Sequence, residues 1–293
     1  TTGTLNTLIG GLAGDAITTG VSNTAVGYGA LTANTTGSDN VAIGSSDNVS
    51  VGGALGANTT GGNNVALGQG ALSANTTADN NTAVGWSTLQ ANTTGTNNTA
   101  VGVQAGLAVT TASEATLIGR HAGISLTTGN SNTFIGGRAG QNTTTAIENV
   151  AVGQAALLTN STGANNTALG RGALLSSTTA SNNTAVGRNA MVSTTTGATN
   201  TAVGGGAMGV NTTGGTNVAV GQSALSSNTS ASNNVAVGYN ALGANTTGGS
   251  NTAVGRLSLD ACTTGGNNVA LGDSAGGANT TGADNTFLGK SAG

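Results

Sequence analysis

Acid–base chemistry has few places to sit in this chain of 293 residues, which carries 6 Lys and Arg, 9 Asp and Glu and 1 His. The densest charge cluster is Glu114, Arg120, His121, Arg138 and Glu148. Two carboxylates held at a fixed separation are the minimum for glycoside hydrolysis, one as acid and one as base. Glu114 and Glu148 fall two repeats apart in the scheme below, which predicts a separation of about 9.6 Å. That is the upper end of the roughly 6.5–9.5 Å used by inverting glycosidases. The preferred reading is a solvated patch of cross-coil ion pairs, each contributing little. His121 has no Cys or second His nearby, so no metal site is expected. Nine acids cannot supply the repeated Asp column of a calcium-binding roll. Catalytic, cofactor and metal sites are therefore each expected to be absent.

A second set is more regular. Arg120, Arg171, Arg188, Arg256 and Lys290 are separated by multiples of 17 residues, and Tyr28, Trp86 and Tyr239 share their place in the repeat. Arg138 lies one residue further on. Aromatic rings and guanidinium groups in one column form a possible surface-binding stripe that could contact glycans. The plainer reading is a solubilising edge or a seam between chains.

The repeat itself is set by Asn23-Thr24-Ala25-Val26-Gly27. Its closing glycine returns at Gly10, Gly27 and Gly44, then from Gly68 to Gly289 at every seventeenth residue. A fixed short period of this kind marks a solenoid. Numbering the first Asn as position 1, the consensus is Asn, Thr/Val, Ala, Val/Ile/Leu, Gly, two variable, Ala, Leu, two variable, Asn, Thr, Thr, Gly, two variable. Positions 2 to 4 suit a strand. Position 4 is aliphatic throughout and is expected to point into the core, so that Val186→Asp would disrupt the local fold. Glycines at 5 and 15 are expected at corners. The predicted fold class is all-β: a parallel β-solenoid (β-roll) of 17-residue coils, each with two or three short strands. Residues 1–293 form a single repeat region with irregular coils at 45–64, where Ser45 to Gly52 reads as a coil missing its second half. The chain starts and stops inside a repeat, which predicts a segment of a longer fibre.

Volumes support a close-packed interior. Position 3 is large at Leu8, Leu117, Phe134 and Phe287, and position 9 of those coils is Gly14, Gly123, Gly140 and Gly293. Gly106 and Gly276, paired with Ala100 and Ala270, break the trade. Position 12 is usually Asn but becomes Ile17, Val109 and Leu126 in coils with Gly at 9, so positions 3, 9 and 12 share one interior. The Asn columns at 12 and 1 are expected to stack as amide ladders. Cys262 replaces one such Asn and is expected to be buried; a single Cys allows no internal disulfide.

The Asn-Thr-Ala-Val-Gly … Ala-Leu … Asn-Thr-Thr-Gly pattern resembles the repeats of phage and viral tail fibres. Asn40-Val41-Ala42-Ile43-Gly44 is similar to the head repeats of trimeric autotransporter adhesins, whose coils are shorter. The resemblance spans almost the whole chain. It implies a left-handed roll, a homotrimer, a virion tail fibre or cell-surface appendage outside the cell, and attachment to a host or to environmental glycans. Trimerisation has a second support: each coil has only about three sizeable aliphatics, thin for 17 ordered residues. The function expected is a structural, adhesive fibre shaft and not an enzyme. The alternatives are a polysaccharide-degrading, tailspike-like glycosidase and an ice-binding solenoid using the Thr pair at 13 and 14. The net charge of −3 offers no basic footprint for nucleic acid. No apolar run approaches the roughly 20 residues of a membrane span.

Overall fold

At position 1 the backbone N–H meets no neighbouring carbonyl, and the asparagine found there in every coil but that of Ala115 resolves it. The N–H of Asn200 donates to Oδ1 of Asn183, one coil back, at 2.9 Å. The Asn200 Nδ2 donates to the Gly214 carbonyl of its own coil at 2.9 Å. The side chain thus closes its coil from position 1 to position 15 and ties it to its neighbour. Position 12 reaches the same carbonyl from the other side: Asn211 Nδ2 donates to Gly214 at 3.0 Å. Where Asn occupies 12 in successive coils the amides also bond one another, as in Asn75 to Asn58 at 2.8 Å and Asn228 to Asn211 at 3.0 Å. Both expected ladders are present and buried. A third runs along position 13, where each hydroxyl donates to the next coil's backbone, as Thr195 does to Thr212 at 3.1 Å.

A computed structural model describes residues 2–46 and 52–293. It forms two compact units, Thr1–Glu148 and Asn149–Gly293. The first holds eight three-residue strands, β1 (Thr7–Ile9) to β8 (Thr133–Ile135). The second holds nine, β9 (Val150–Val152) to β17 (Thr286–Leu288). Within each unit consecutive strands pair parallel and in register, position on position, as in Thr184↔Thr201, Ala185↔Ala202 and Val186↔Val203. Each unit is a β-solenoid, and no helix occurs among the described residues.

One strand per coil, not two or three, is the first difference from expectation. The second side of the coil still bonds like a ladder at alternate residues: Leu31, Ala33 and Thr35 donate to Ala54, Gly56 and Thr59. Left-handed residues keep it from being a strand. Position 9 has positive φ throughout, including Leu31 (55°), Leu174 (51°) and Met191 (53°). Such a backbone costs a bulky residue about 1–2 kcal/mol, and burying the same side chain returns about 1.5–3 kcal/mol. Those side chains are fully buried, so the exchange is favourable. At position 5, outside Gly44, φ runs from 111° to 140°. A Cβ on Gly170 would also lie 2.6 Å from the Gly187 carbonyl oxygen, so both φ and space require glycine.

The second difference concerns which way the strand faces. Position 3 is inside: Ala25, Ala185 and Ala236 are completely buried. Strand side chains alternate, so position 4 must face out, and Ile43, Leu169, Val220 and Leu271 are 39, 36, 37 and 49% exposed. Val186 is half-buried on that outer face. The expectation that position 4 fills the core is therefore overturned. So is its consequence, because a charge at Val186 would meet solvent and not an apolar interior.

The volume trade is present and extends further than one coil. A Cβ on Gly14 would lie 2.7 Å from Leu8 and 2.9 Å from Ile17, and one on Gly140 would lie 2.5 Å from Phe134. The two exceptions are explained by the following coil. A Cβ on Gly106 would lie 2.6 Å from Leu117, and one on Gly276 would lie 2.7 Å from Phe287. Position 9 thus contacts position 3 of its own coil and of the next, and is glycine when either is large.

The described residues on either side of the irregular stretch keep the register of the stack. β3 (Val41–Ile43) pairs directly with β4 (Val65–Leu67) at an offset of 24 residues. Ser46 bonds back to Tyr28, while Gly52 accepts from Gly70 ahead. Leu55 then resumes position 9, donating to Ala71. Register is thus kept on both sides, up to Ser46 and again from Gly52. The expected half coil at 45–52 falls in part on residues 47–51, outside the described residues.

Two outcomes follow from the interior. Ser177 and Thr194 occupy position 12 with buried hydroxyls that reach no partner. Replacing both by Asn, which the column accepts above Leu72 and Met208, adds hydrogen bonds worth about 0.5–1.5 kcal/mol each. Calorimetry is expected to show a higher Tm; an unchanged or lower one would count against the ladder. Separately, Gly106→Leu destabilises alone, and adding Leu117→Ala recovers part of the loss in a double-mutant cycle. Additive losses would show that the two positions do not share space.

Candidate functional site

The stripe is produced by the corner after the strand. Residue 5 donates its N–H to residue 4 of the preceding coil, as Gly187 does to Leu169 at 2.8 Å. Residue 7 turns left-handed and donates to residue 6 of the preceding coil, as Asn189 does to Arg171 at 3.0 Å. The backbone on either side of residue 6 is held, and its side chain stands free. In the first unit this places Tyr28, Trp86 and Arg120 on the exposed corner, with Arg138 beside them at position 7. In the second unit it places Arg171, Arg188, Tyr239, Arg256 and Lys290 there.

These residues are not electrostatically equivalent. Arg171 and Arg188 occupy successive coils, so their backbones are about 4.8 Å apart and their like charges reinforce one another. Arg256 is neutralised: its Nε lies 2.9 Å from Asp273 Oδ1, and its Nη2 donates to Oδ2 at 3.2 Å. Both partners are substantially exposed, so the pair contributes little stability. It does remove Arg256 from the free cations of the column. Position 6 of one coil pairing with position 6 of the next was readable from the period, although Asp273 was not singled out.

The cluster around His121 separates by sign. Arg120 and Arg138 flank His121, and partial burial, followed by the charges of Arg120 and then Arg138, lowers its pKa below the usual 6.5. Glu114 and Glu148 sit at position 17, the opposite end of the strand, and both are exposed. Glu114 Oε2 accepts from Ser131 Oγ at 3.1 Å. The expected ion pairs between these carboxylates and the arginines do not form. The sole ion pair among the described residues is Arg256–Asp273. Sequence spacing gave the coil of each charge but merged two corners into one patch.

Cys262 is buried at position 12, with Sγ 3.6 Å from the Gly265 carbonyl, the acceptor an Asn would use. Burial raises its pKa and the bond to Gly265 partly offsets this. The Thr pair also divides. Position 13 hydroxyls are committed to carbonyls of the next coil, leaving only position 14 outward. An ice-binding plane built on both loses half its hydroxyls.

Sequence reasoning missed a gap in the stripe at Gly205-Gly206. A Cβ on either would meet nothing within 4 Å. The space, about 330 Å³, is lined by Arg188, Asn189, Gly205, Gly206, Gln222 and Ser223. Its signal was present as two consecutive glycines at positions 6 and 7; position 6 is also glycine at Gly11 and Gly137, but there Leu12 and Arg138 follow.

The electrostatics of the His121 corner can be read directly. The imidazole is expected to titrate below 6.5 by NMR, and Arg120→Ala to move the midpoint upward. A midpoint at or above the ordinary value would contradict the placement. Compared with known proteins, the chain matches no family model and no curated protein.

Proposed function

We propose that this chain is the shaft of an extracellular fibre, structural and adhesive rather than enzymatic, assembled as a parallel in-register homotrimer. The observation that supports it is the outer face of the strands. Position 4 is aliphatic in every coil, position 2 is Thr or Val, and neither column carries a charge. Large exposed apolar faces mark interaction surfaces. A surface repeating at every coil is matched best by a partner with the same period, and a second copy has it by construction. Three copies turning this face toward a common axis bury the column that a single chain leaves wet. The basic and aromatic corner at positions 6 and 7 then faces outward, placed for attachment to a host or environmental glycan. The same repeat pattern resembles tail-fibre and adhesin-head repeats, which agrees with a location on a virion or cell surface.

Because position 4 lies outside the single-chain core, assembly and folding can be separated. Sedimentation equilibrium at micromolar concentration is expected to give a trimer. Val186→Asp with Val220→Asp should yield folded monomers with unchanged circular dichroism, since a carboxylate on this face is desolvated only in the assembly. Arg188→Ala should leave the trimer intact. A parent chain that sediments as a folded monomer would overturn the assembly.

A further inference from the structure

We infer that the notch at Gly205-Gly206 is a subsite for a hexuronate residue of an acidic polysaccharide; this rests on reading the position 6 column as the adhesive face. The notch is built, not incidental. Its floor is fixed by two inter-coil bonds, Gly206 N–H to the Arg188 carbonyl at 3.0 Å and Ser223 N–H to the Gly205 carbonyl at 3.1 Å. Its walls are the exposed side chains of the coils before and after, Arg188 and Gln222, which binding orders above the fixed floor. Its volume, about 330 Å³, exceeds what a lone carboxylate or inorganic ion needs and suits a ring.

The lining selects the ligand. Arg188 is the single charged residue among those lining the notch, which matches a monoanion. A planar guanidinium pairs with a carboxylate through two parallel hydrogen bonds. Asn189 and Gln222 each offer a donor and an acceptor, and Ser223 offers a hydroxyl. Groups that both give and receive hydrogen bonds suit ligand hydroxyls, which do the same. No aliphatic or aromatic side chain lines it, only glycine and the methylene stems of Arg188 and Gln222, so an aliphatic or aromatic acid gains little there. A ring bearing one carboxylate and several hydroxyls satisfies every wall.

The surroundings favour a polymer over a single sugar. Along the column Tyr239 is two coils beyond Gly205, about 9.6 Å, and its ring is exposed. There it can stack on the apolar face of a further sugar. Arg171 lies two coils on the other side and is free for a second carboxylate. Arg256, next after Tyr239, is held by Asp273 and does not extend the site.

Titration calorimetry of the full chain with an oligogalacturonate, and with a neutral galactose oligomer as control, tests this. The acidic oligomer is expected to bind and the neutral one not. Gly205→Gln fills the notch without strain: Gly205 lies outside the left-handed region, and Gln already occupies the column at Gln69, Gln154 and Gln222. It should weaken binding at least about tenfold with unchanged circular dichroism, and Arg188→Lys should lose much of the affinity by breaking the paired hydrogen bonds. No binding of the acidic oligomer would sink the adhesive reading and the subsite together. Binding that survives Gly205→Gln would sink the subsite alone. Equal binding of the neutral oligomer, or of dextran sulfate, would overturn the choice of a uronate.

Discussion

The structure depends on one carbonyl per coil, that of position 15, on the position 1 asparagine that bonds it and, where position 12 is also Asn, on a second amide that converges on it. A parallel stack must pair every backbone N–H and C=O in a way that repeats without change. At position 1 the N–H has no carbonyl opposite, and an unpaired buried donor costs about 1–3 kcal/mol. Oδ1 of the previous asparagine takes it, and Nδ2 goes to position 15, as for Asn217 on Asn200 and on Ala231. Closure of the coil and registration of the stack are thus done by one side chain. Register is fixed accordingly, since a slip by one residue sets Thr or Val against the amide. The irregular stretch between Gly44 and Gly68 shows the consequence: despite its additional residues, the asparagine ladder from Asn40 to Asn64 continues at 3.1 Å.

The amide columns also account for the composition. Two of the interior columns are polar and hydrogen-bonded, so the remaining inward positions must be small to let opposite sides approach. Ala at 3 and 8 and one Leu at 9 are enough, and aromatic residues enter only where glycine gives way, as Phe134 does against Gly140. Left-handed backbone at 7, 9 and 17 turns the chain within so few residues. No single coil holds that strain alone. It is held by bonds to the coils on either side, which makes stability a sum over neighbouring interfaces.

Much of this was legible in the sequence, for physical reasons that can be named. The period, both amide ladders and the shared interior of positions 3, 9 and 12 all leave column statistics that a single chain repeats many times. The direction of the strand was misread because uniformity at position 4 was equated with burial. The volume trade at position 3 already contradicted that, since alternation forbids adjacent strand residues from facing the same way. Left-handed leucines left no trace, because propensity argues against them and only the packed coil repays them. Gly106 and Gly276 looked like exceptions until the neighbouring coil was taken into account. The charged cluster failed at the level of corners: Glu114 and Arg120 are close in sequence but sit at opposite ends of a strand.

The same division between bonded interior and free exterior separates two kinds of outward column. At position 4 the side chain follows an inward alanine and precedes a glycine whose φ and contacts are fixed, so its direction repeats from coil to coil. Uniform aliphatic residues there build an exposed apolar column that repeats at every coil. At position 6 the neighbouring backbone is held on both sides while the side chain meets no neighbour it must fit. Tyr239, Arg188, Gln222 and glycine at 205 are tolerated alike, because none of them touches the ladder. Variation concentrated in that column can change what the surface binds without altering the period, and deleting a side chain there opens a notch with a rigid floor. A repeat constrained this tightly inside is therefore free to diversify along one corner, and recognition is expected on that corner rather than on the uniform face.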